Sequence, residues 1–372
     1  MQTFRIPRYN YPAQFGNNFD ELISRIKGMI LDGRYILSTE VEQFEADFAK
    51  MIGVQFARGV NTGTDALALA MRVIGIGPGA EVITQANTFN ATVAAIELVG
   101  AQPILVDAEE ASFLIDQGQV DAAITKRTHA IIPVHLYGKP TPMTALLDIA
   151  RGARLSIIED AAQAHGARWK GRWVGSFGRL GCFSFHPSKN LAAAGDAGAV
   201  VTDDQDLALA LSCHRALGQT TQNDHILPGF NTKLDSIQAA ILSWKLDKLT
   251  EWNEQRVRIA KEYRERLADL PVSFQSISPD EIHVYHLFQV RTLRRDDLLA
   301  HLRSKGVDAV IRYPVPIHLQ PAFQHWKWKH GQFPVAEKLA TELVALPIRP
   351  DMDIWEVDYV TECIRDFFDN KC

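Results

Sequence analysis

A rhythm constrains this chain more than any other feature. From Val54 to about residue 202, short apolar runs alternate with helix-like segments: EVITQ, a helix from Ala91, PILVD, a helix near Val120, HAIIPVH, a helix near Met143, and LSIIED. Strands that alternate with helices lie parallel when each helix crosses a sheet face, so the pattern predicts an α/β fold with a mainly parallel sheet. CFSF and GAVVT add two strands separated by a polar, Gly- and Ala-rich turn.

On the N-terminal side, FDELISRIKGMI and VEQFEADFAKMIG have helical spacing and predict two amphipathic helices on the outside of that sheet. On the C-terminal side, Leu234 to about Ala268 reads as helical almost throughout, the natural bridge to a second unit. In that unit HLFQVR reads as a strand, and DDLLAHLRSKG, PVAEKLATELVAL and EVDYVTECIRDFF as helices. A chain of 372 residues outgrows one small core. The expected division is a large domain over residues 1–245 and a smaller α+β domain over 246–372, with the N-terminal segment packing on the smaller one.

Composition narrows the function. Hydrophobic residues make up 47% and charged residues 22%, the balance of a globular enzyme. Lys plus Arg number 39 against 44 for Asp plus Glu, so no general field draws in nucleic acid or anionic lipid, and any anionic ligand must be held by local groups. The opening segment MQTFRIPRYNYPAQF has no apolar core, and no later stretch approaches the length of a membrane span. The expectation is a cytoplasmic protein without an anchor. Cys182, Cys213, Cys363 and Cys372 are scattered with no C-x-x-C pair, which reads as reduced thiols and not as a metal site.

Four segments carry chemistry. IIEDAAQAHGA puts Asp160 directly after an apolar strand and Gln163 three residues on, where open α/β sheets gather ligands; an Asp there equally caps a turn. CFSFHPSKN offers Ser184, His186 and Lys189 on a strand and its following turn. An enzyme using pyridoxal phosphate (PLP) needs an amine to form an imine with the cofactor, and a carboxylate to keep the pyridine nitrogen protonated. Lys189 and Asp160 fit those two roles. NTGTDALALAM runs from Gly63 and Thr64 into a helix, a site for a phosphate on free backbone N–H groups, although Thr62 or Thr64 could simply cap the helix. Phe89 in QANTFNA follows another strand end and suits either a cofactor face or the core. GIGPGAEV is no dinucleotide fingerprint, because it follows a helix and precedes a strand.

Taken in order from about residue 35 to 350, NTGTDAL, ANTFNAT, IIEDAAQAHGA, FSFHPSKN, GDAGAVVT, GFNTKLDSIQAA and YPVPIHLQPAF resemble the sugar aminotransferases of the DegT/DnrJ/EryC1/StrS family. The resemblance implies PLP fold type I, with a mixed, mostly parallel seven-stranded sheet between helices. It also implies a homodimer with shared active sites and amino transfer, most often from glutamate, to a keto group of a nucleotide-linked sugar. By position, Lys189 matches the Schiff-base lysine, Asp160 the partner of the ring nitrogen, Gln163 the contact to the ring hydroxyl and Phe89 the stacking aromatic. Gly63, Thr64 and Ser184 match phosphate-binding positions, and Asn231 the asparagine that reaches the neighbouring subunit's phosphate. Tyr313 and His318 match the part lining the sugar pocket, with Tyr35 and His186 as further substrate-side candidates.

The chain departs from the commonest pattern with AGDAG in place of GGEGG and Lys233 in place of Arg, variants that look more like members acting on 3-keto sugars. The best-matching substrate is a 3-keto-6-deoxyhexose linked to dTDP or another nucleotide, turned over by a ping-pong mechanism. A 4-keto nucleotide sugar, or a cyclitol or other cyclic ketone, are alternatives that share every cofactor residue. A PLP-binding regulator without turnover is disfavoured by the intact Lys189 and Asp160, and an NAD-linked oxidoreductase by the missing glycine fingerprint.

Overall fold

The computed structural model describes residues 4–16 and 18–369. Its central sheet has seven strands: β1 Phe56–Val60, β2 Glu81–Gln85, β3 Gln102–Val106, β4 Thr128–Ile132, β5 Ser156–Asp160, β6 Leu180–Ser184 and β7 Gly198–Thr202. They lie in the order β1-β7-β6-β5-β4-β2-β3. The β3, β2, β4, β5 and β6 neighbours pair in parallel, and β7 runs antiparallel to both β6 and β1. The sequence rhythm foretold the parallel part; FARGV, the edge strand β1, is too short and polar to announce itself.

Alternation along each strand builds two cores. Val82, Ala130, Ile132 and Ile158 face one side and pack with Ala66–Met71 and with Ala95 and Ile96. Ile83, Ile131 and Ile157 face the other, against Val120, Met143 and Leu146. A period of two along a strand buried on both faces explains why these runs are apolar throughout. In chain order the helices are α1 Phe19–Leu31, α2 Thr39–Ile52, α3 Gly63–Val73, α4 Asn90–Leu98, α5 Gln117–Ala122, α6 Met143–Ala153 and α7 Gln205–Arg215.

Behind β6, Phe44 and Phe48 of α2 meet Phe183 and Phe185 edge to face at 5.0–5.4 Å. Each such ring buried contributes about 1.5–3 kcal/mol, which fixes the end of β6 from behind.

The expected long helix is two: α8 Ser236–Leu246 and α9 Leu249–Arg266. Along their length they serve two different cores. Ala239, Leu242 and Leu249 join the large sheet's core, whereas Ile259, Ala260 and Tyr263 join that of the C-terminal unit. That unit holds a three-stranded antiparallel sheet of Ser273–Phe274, Phe288–Arg291 and Leu343–Leu346, with helices α10 Arg295–Ser304, α11 Pro334–Glu342 and α12 Ile354–Asp369. Helical spacing in PVAEKLATELVAL thus misleads after Glu342: Leu343–Leu346 pair with Phe288–Arg291, and tertiary pairing overrides the local preference.

The N-terminal segment lies against this unit. Ile6 is fully buried in its core, the Ile6 N–H donates to Gly306 O at 3.1 Å and that of Asp308 to Ile6 O at 3.0 Å. Cys182, Cys213 and Cys363 are free, and Cys372 lies outside the described residues. Among the described residues no helix is long and apolar enough to cross a membrane.

Candidate active site

Asp160 is the last residue of β5, prolonged past β4: its N–H donates to Pro133 O and its carbonyl accepts from His135 N, both at 3.0 Å. Just below, His135 and Glu159 form a fully buried pair at 3.0 Å, and Glu159 also accepts from Gly175 N and Gly178 N at 2.7 Å. The strand end is therefore rigid. The Asp160 carboxylate is 5% exposed, accepts from Thr92 Oγ1 at 2.8 Å and from Ala162 N at 3.2 Å, and is in no ion pair among the described residues. Burial pushes its pKa up; the Thr92 and Ala162 hydrogen bonds, then the Lys189 charge, pull the other way.

Lys189 lies in the turn after β6. Its N–H donates to His186 O at 2.9 Å. The next residue is anchored from outside the large sheet, with Asn190 Nδ2 donating to Asn253 Oδ1 at 2.9 Å and to Val284 O at 3.0 Å. Burial drops the Lys189 amine to about 8, with Arg312 adding to the drop and Asp160 opposing it. Such an amine is a nucleophile and proton carrier near neutral pH, which an ordinary lysine is not. Behind it His165 is wholly buried with both ring nitrogens unpartnered, and burial, then the Lys189 charge, pushes its pKa down to about 3.

The start of α3 forms a cradle. Thr62 Oγ1 caps the helix by accepting from Asp65 N at 2.9 Å, leaving the N–H groups of Gly63 and Thr64 without intrahelical acceptors. Of the two readings the sequence left open, the structure shows the Thr62 cap, and two backbone donors remain at the first turn. A Cβ on Gly63 would sit 2.6 Å from Ser184 Cβ, and one on Gly198 2.4 Å from Thr62 O, so only glycine permits this close approach.

Phe89, the first residue before α4, is half exposed, and its ring centroid is 5.7 Å from that of Tyr313. Gln163 is buried and doubly oriented: Tyr137 N donates to its Oε1 and its Nε2 donates to Tyr313 Oη, each at 2.8 Å. Tyr137 and Tyr313 have φ of 63° and 60°, uncommon for aromatic residues and costing about 1–3 kcal/mol each where function tolerates it.

A cavity of about 510 Å³ collects Gly63, Thr64, Phe89, Asp160, Gln163, Ser184, His186, Lys189 and Tyr313. It also has Asp196, His286 and Arg312 in its wall, which the sequence reading missed; nothing in HVYHLFQVR or AVIRYP marks those positions locally. Three expected residues stay outside. His318 does not line it: it is 3% exposed, packs edge-on against Phe333 and bonds Glu337 at 2.8 Å, a structural contact of its loop. Tyr35 is half exposed with its hydroxyl donating to Ile30 O at 2.7 Å. Asn231 is exposed and bonded by Lys233 Nζ, although the neighbouring Thr232 ties the segment to the cradle through Asp65 and Asn61 N.

Fold and site define an α/β enzyme with a buried carboxylate, a low-pKa lysine and an anion cradle on one cavity. The family model of the DegT/DnrJ/EryC1/StrS aminotransferase family matches residues 18–365. The chain belongs to that family. It is 42% identical to dTDP-3-amino-3,4,6-trideoxy-alpha-D-glucose transaminase of Streptomyces venezuelae, over 98% of this chain and 97% of the relative. It is 40% identical to UDP-N-acetyl-3-dehydro-alpha-D-glucosamine 3-aminotransferase of Acidithiobacillus ferrooxidans, over 98% of each. A crystal structure of S. venezuelae DesV in complex with a ketimine intermediate superposes with a TM-score of 0.97 at 42% identity, covering 100% of both chains.

Proposed function

We propose that this protein is a PLP-dependent aminotransferase that moves an amino group from an amino acid, L-glutamate, to the 3-keto group of a nucleotide-linked 6-deoxyhexose. The observation that carries the reading is the convergence of Asp160, Lys189 and the α3 N-terminus on one cavity of about 510 Å³. The residues suit the cofactor. Lys189 would hold it covalently, Asp160 would face a protonated ring nitrogen as its counter-charge, and Gln163 would meet the ring hydroxyl. Phe89 would cover a ring face, and Gly63, Thr64 and Ser184 would take the phosphate. When bound, PLP supplies an electron sink for a carbanion at the donor's α-carbon.

The chain's own groups do the rest. Lys189 Nζ takes the proton from the donor's α-carbon and, in the second half, returns one to C3 of the sugar. A pKa near 8 suits both tasks, because proton uptake and release are then balanced near working pH. His186 and Tyr313, both in the cavity wall, would meet the sugar. The C3 position is supported by the names of both relatives, which differ in nucleotide but share that carbon.

The protein is further proposed to be a cytoplasmic homodimer. Asn231 and Tyr35 would then complete the partner's cavity, which accords with their exposure outside their own. The deciding experiment incubates the pyridoxamine form with 3-keto and 4-keto nucleotide sugars and watches which restores the aldehyde form. A response to 3-keto sugars is expected; a response only to 4-keto sugars or to cyclitol ketones would replace this substrate reading.

A further inference from the structure

The cavity contains a cation that the reaction described so far does not use. Arg312 lines the wall next to Tyr313, in no ion pair among the described residues. Two carboxylates share that wall, Asp160 and Asp196, and Arg312 pairs with neither. Its one side-chain hydrogen bond among the described residues is Nη2 to Tyr9 Oη at 3.1 Å, across 303 residues of chain.

Tyr9 is itself held. Arg8 pairs with Asp308 at 3.0 Å, Arg349 Nη1 donates to Pro7 O at 3.0 Å, and the Tyr9 ring stacks on Tyr11 with centroids 5.6 Å apart. Asn10 Nδ2 also donates to Asp351 Oδ2 at 2.7 Å, so the N-terminal strap is anchored on both sides of Tyr9, and the tyrosine steadies a guanidinium in the cavity wall. A guanidinium with a fixed neighbour and free N–H donors is a carboxylate receptor.

We propose that Arg312 reads the α-carboxylate of the amino-acid donor, with Tyr9 of the N-terminal strap as its positioning residue; this rests on the aminotransferase reading above. The cofactor's phosphate has its own donors at the start of α3, whereas Arg312 adjoins Tyr313, which bonds Gln163. The chemistry of the two substrates favours the donor over an acidic sugar. The carbon that exchanges its proton with Lys189 carries the α-carboxylate directly, while the carboxylate of a uronate lies several bonds from the reacting C3.

The test uses holoenzyme carrying Arg312→Gln, Arg312→Lys or Tyr9→Phe. In one arm the aldehyde-form absorbance is followed as L-glutamate, or its α-amide, gives up its amine. In the other, the pyridoxamine form is mixed with a neutral 3-keto sugar and with the matching uronate. Arg312→Gln should raise the half-saturating glutamate concentration about 10- to 100-fold, the scale of a lost hydrogen bond to a charged group, and leave the α-amide nearly unchanged. Preference for glutamate over its α-amide then collapses, while the neutral sugar shifts by less than about threefold. Arg312→Lys should recover part of the loss, and Tyr9→Phe, which leaves the guanidinium in place and removes only its positioning contact, should cost about two- to fivefold in the same direction.

Equal weakening of glutamate and α-amide would overturn the proposal, as would a loss confined to the uronate, which would assign the anion to the acceptor. A wild-type holoenzyme inert to every amino donor would instead sink the parent reading, and is recognised because no variant is needed to see it. Cofactor absorbance and Tm check folding, and if Arg312→Gln does not fold, Arg312→Lys and Tyr9→Phe carry the same comparison.

Discussion

Two walls of one cavity are built in different ways. The first stands on the large sheet: Asp160 ends β5, Ser184 ends β6, Lys189 follows in the next turn, and Gly63 opens the helix after β1. The second is assembled from afar, with Tyr9 on the N-terminal strap meeting Arg312, and Tyr313 reaching Gln163 across 150 residues. On the proposed reading the sheet wall would hold the fixed groups of the chemistry. The remote wall would then bring the groups that select what enters, on segments that can vary without disturbing the sheet.

That contrast is sharpest at Asp160. Asp160→Asn keeps shape and removes the charge that would balance a protonated ring nitrogen, so turnover should fall about 10²- to 10³-fold, with cofactor retention also weakened. Steady-state kinetics of the reconstituted variant would show it; a loss under tenfold would mean that the sheet wall does not govern the chemistry.

Gly63→Ala comes next. Its Cβ would meet Ser184 Cβ at 2.6 Å and Ser184 Cα at 3.2 Å, so the cradle must open, at a cost of about 1–3 kcal/mol. Cofactor titration should show weaker binding, with the glutamate half-reaction near normal once saturated.

These sheet-wall residues were legible because each falls at a fixed offset from a strand or helix start, and local sequence carries that offset. Arg312 and His286 were not legible, since their meeting with the sheet wall depends on how separate elements dock; Asp196 stood in the quoted GDAGAVVT segment, two residues before β7, and was passed over. His318 shows the converse: it sits in a recognisable segment, yet packing turns its ring onto Phe333 and Glu337. The fold divides likewise. The parallel strands follow from alternation, but the break between α8 and α9 and the strand Leu343–Leu346 arise where two cores or a partner strand outvote local periodicity.

A pH series refines the comparison. With the amine near 8 and not its ordinary 10.5, capture of PLP by the apoenzyme should quicken about tenfold per pH unit up to about 8 and then level. The same depression links to stability. Between about 8 and 10.5 the unfolded chain binds the extra proton, so apoenzyme stability should rise with pH across that window. Lys189→Met should remove its share and leave that of Lys245, whose amine burial also lowers to about 8.

The smallest effect on activity belongs to His318→Asn. Because that ring supports its loop from outside the cavity, kcat should change less than about threefold, while stability drops by about 1–3 kcal/mol as Glu337 loses a partner. A large loss of activity with unchanged Tm would move His318 into the remote wall's working set.

The central claim is tested most directly by borohydride reduction of the holoenzyme followed by peptide mapping. The account expects a pyridoxyl group on the peptide containing Lys189 and on no other lysine. An active holoenzyme whose label lay elsewhere, or whose Lys189 peptide came back unmodified, would contradict it.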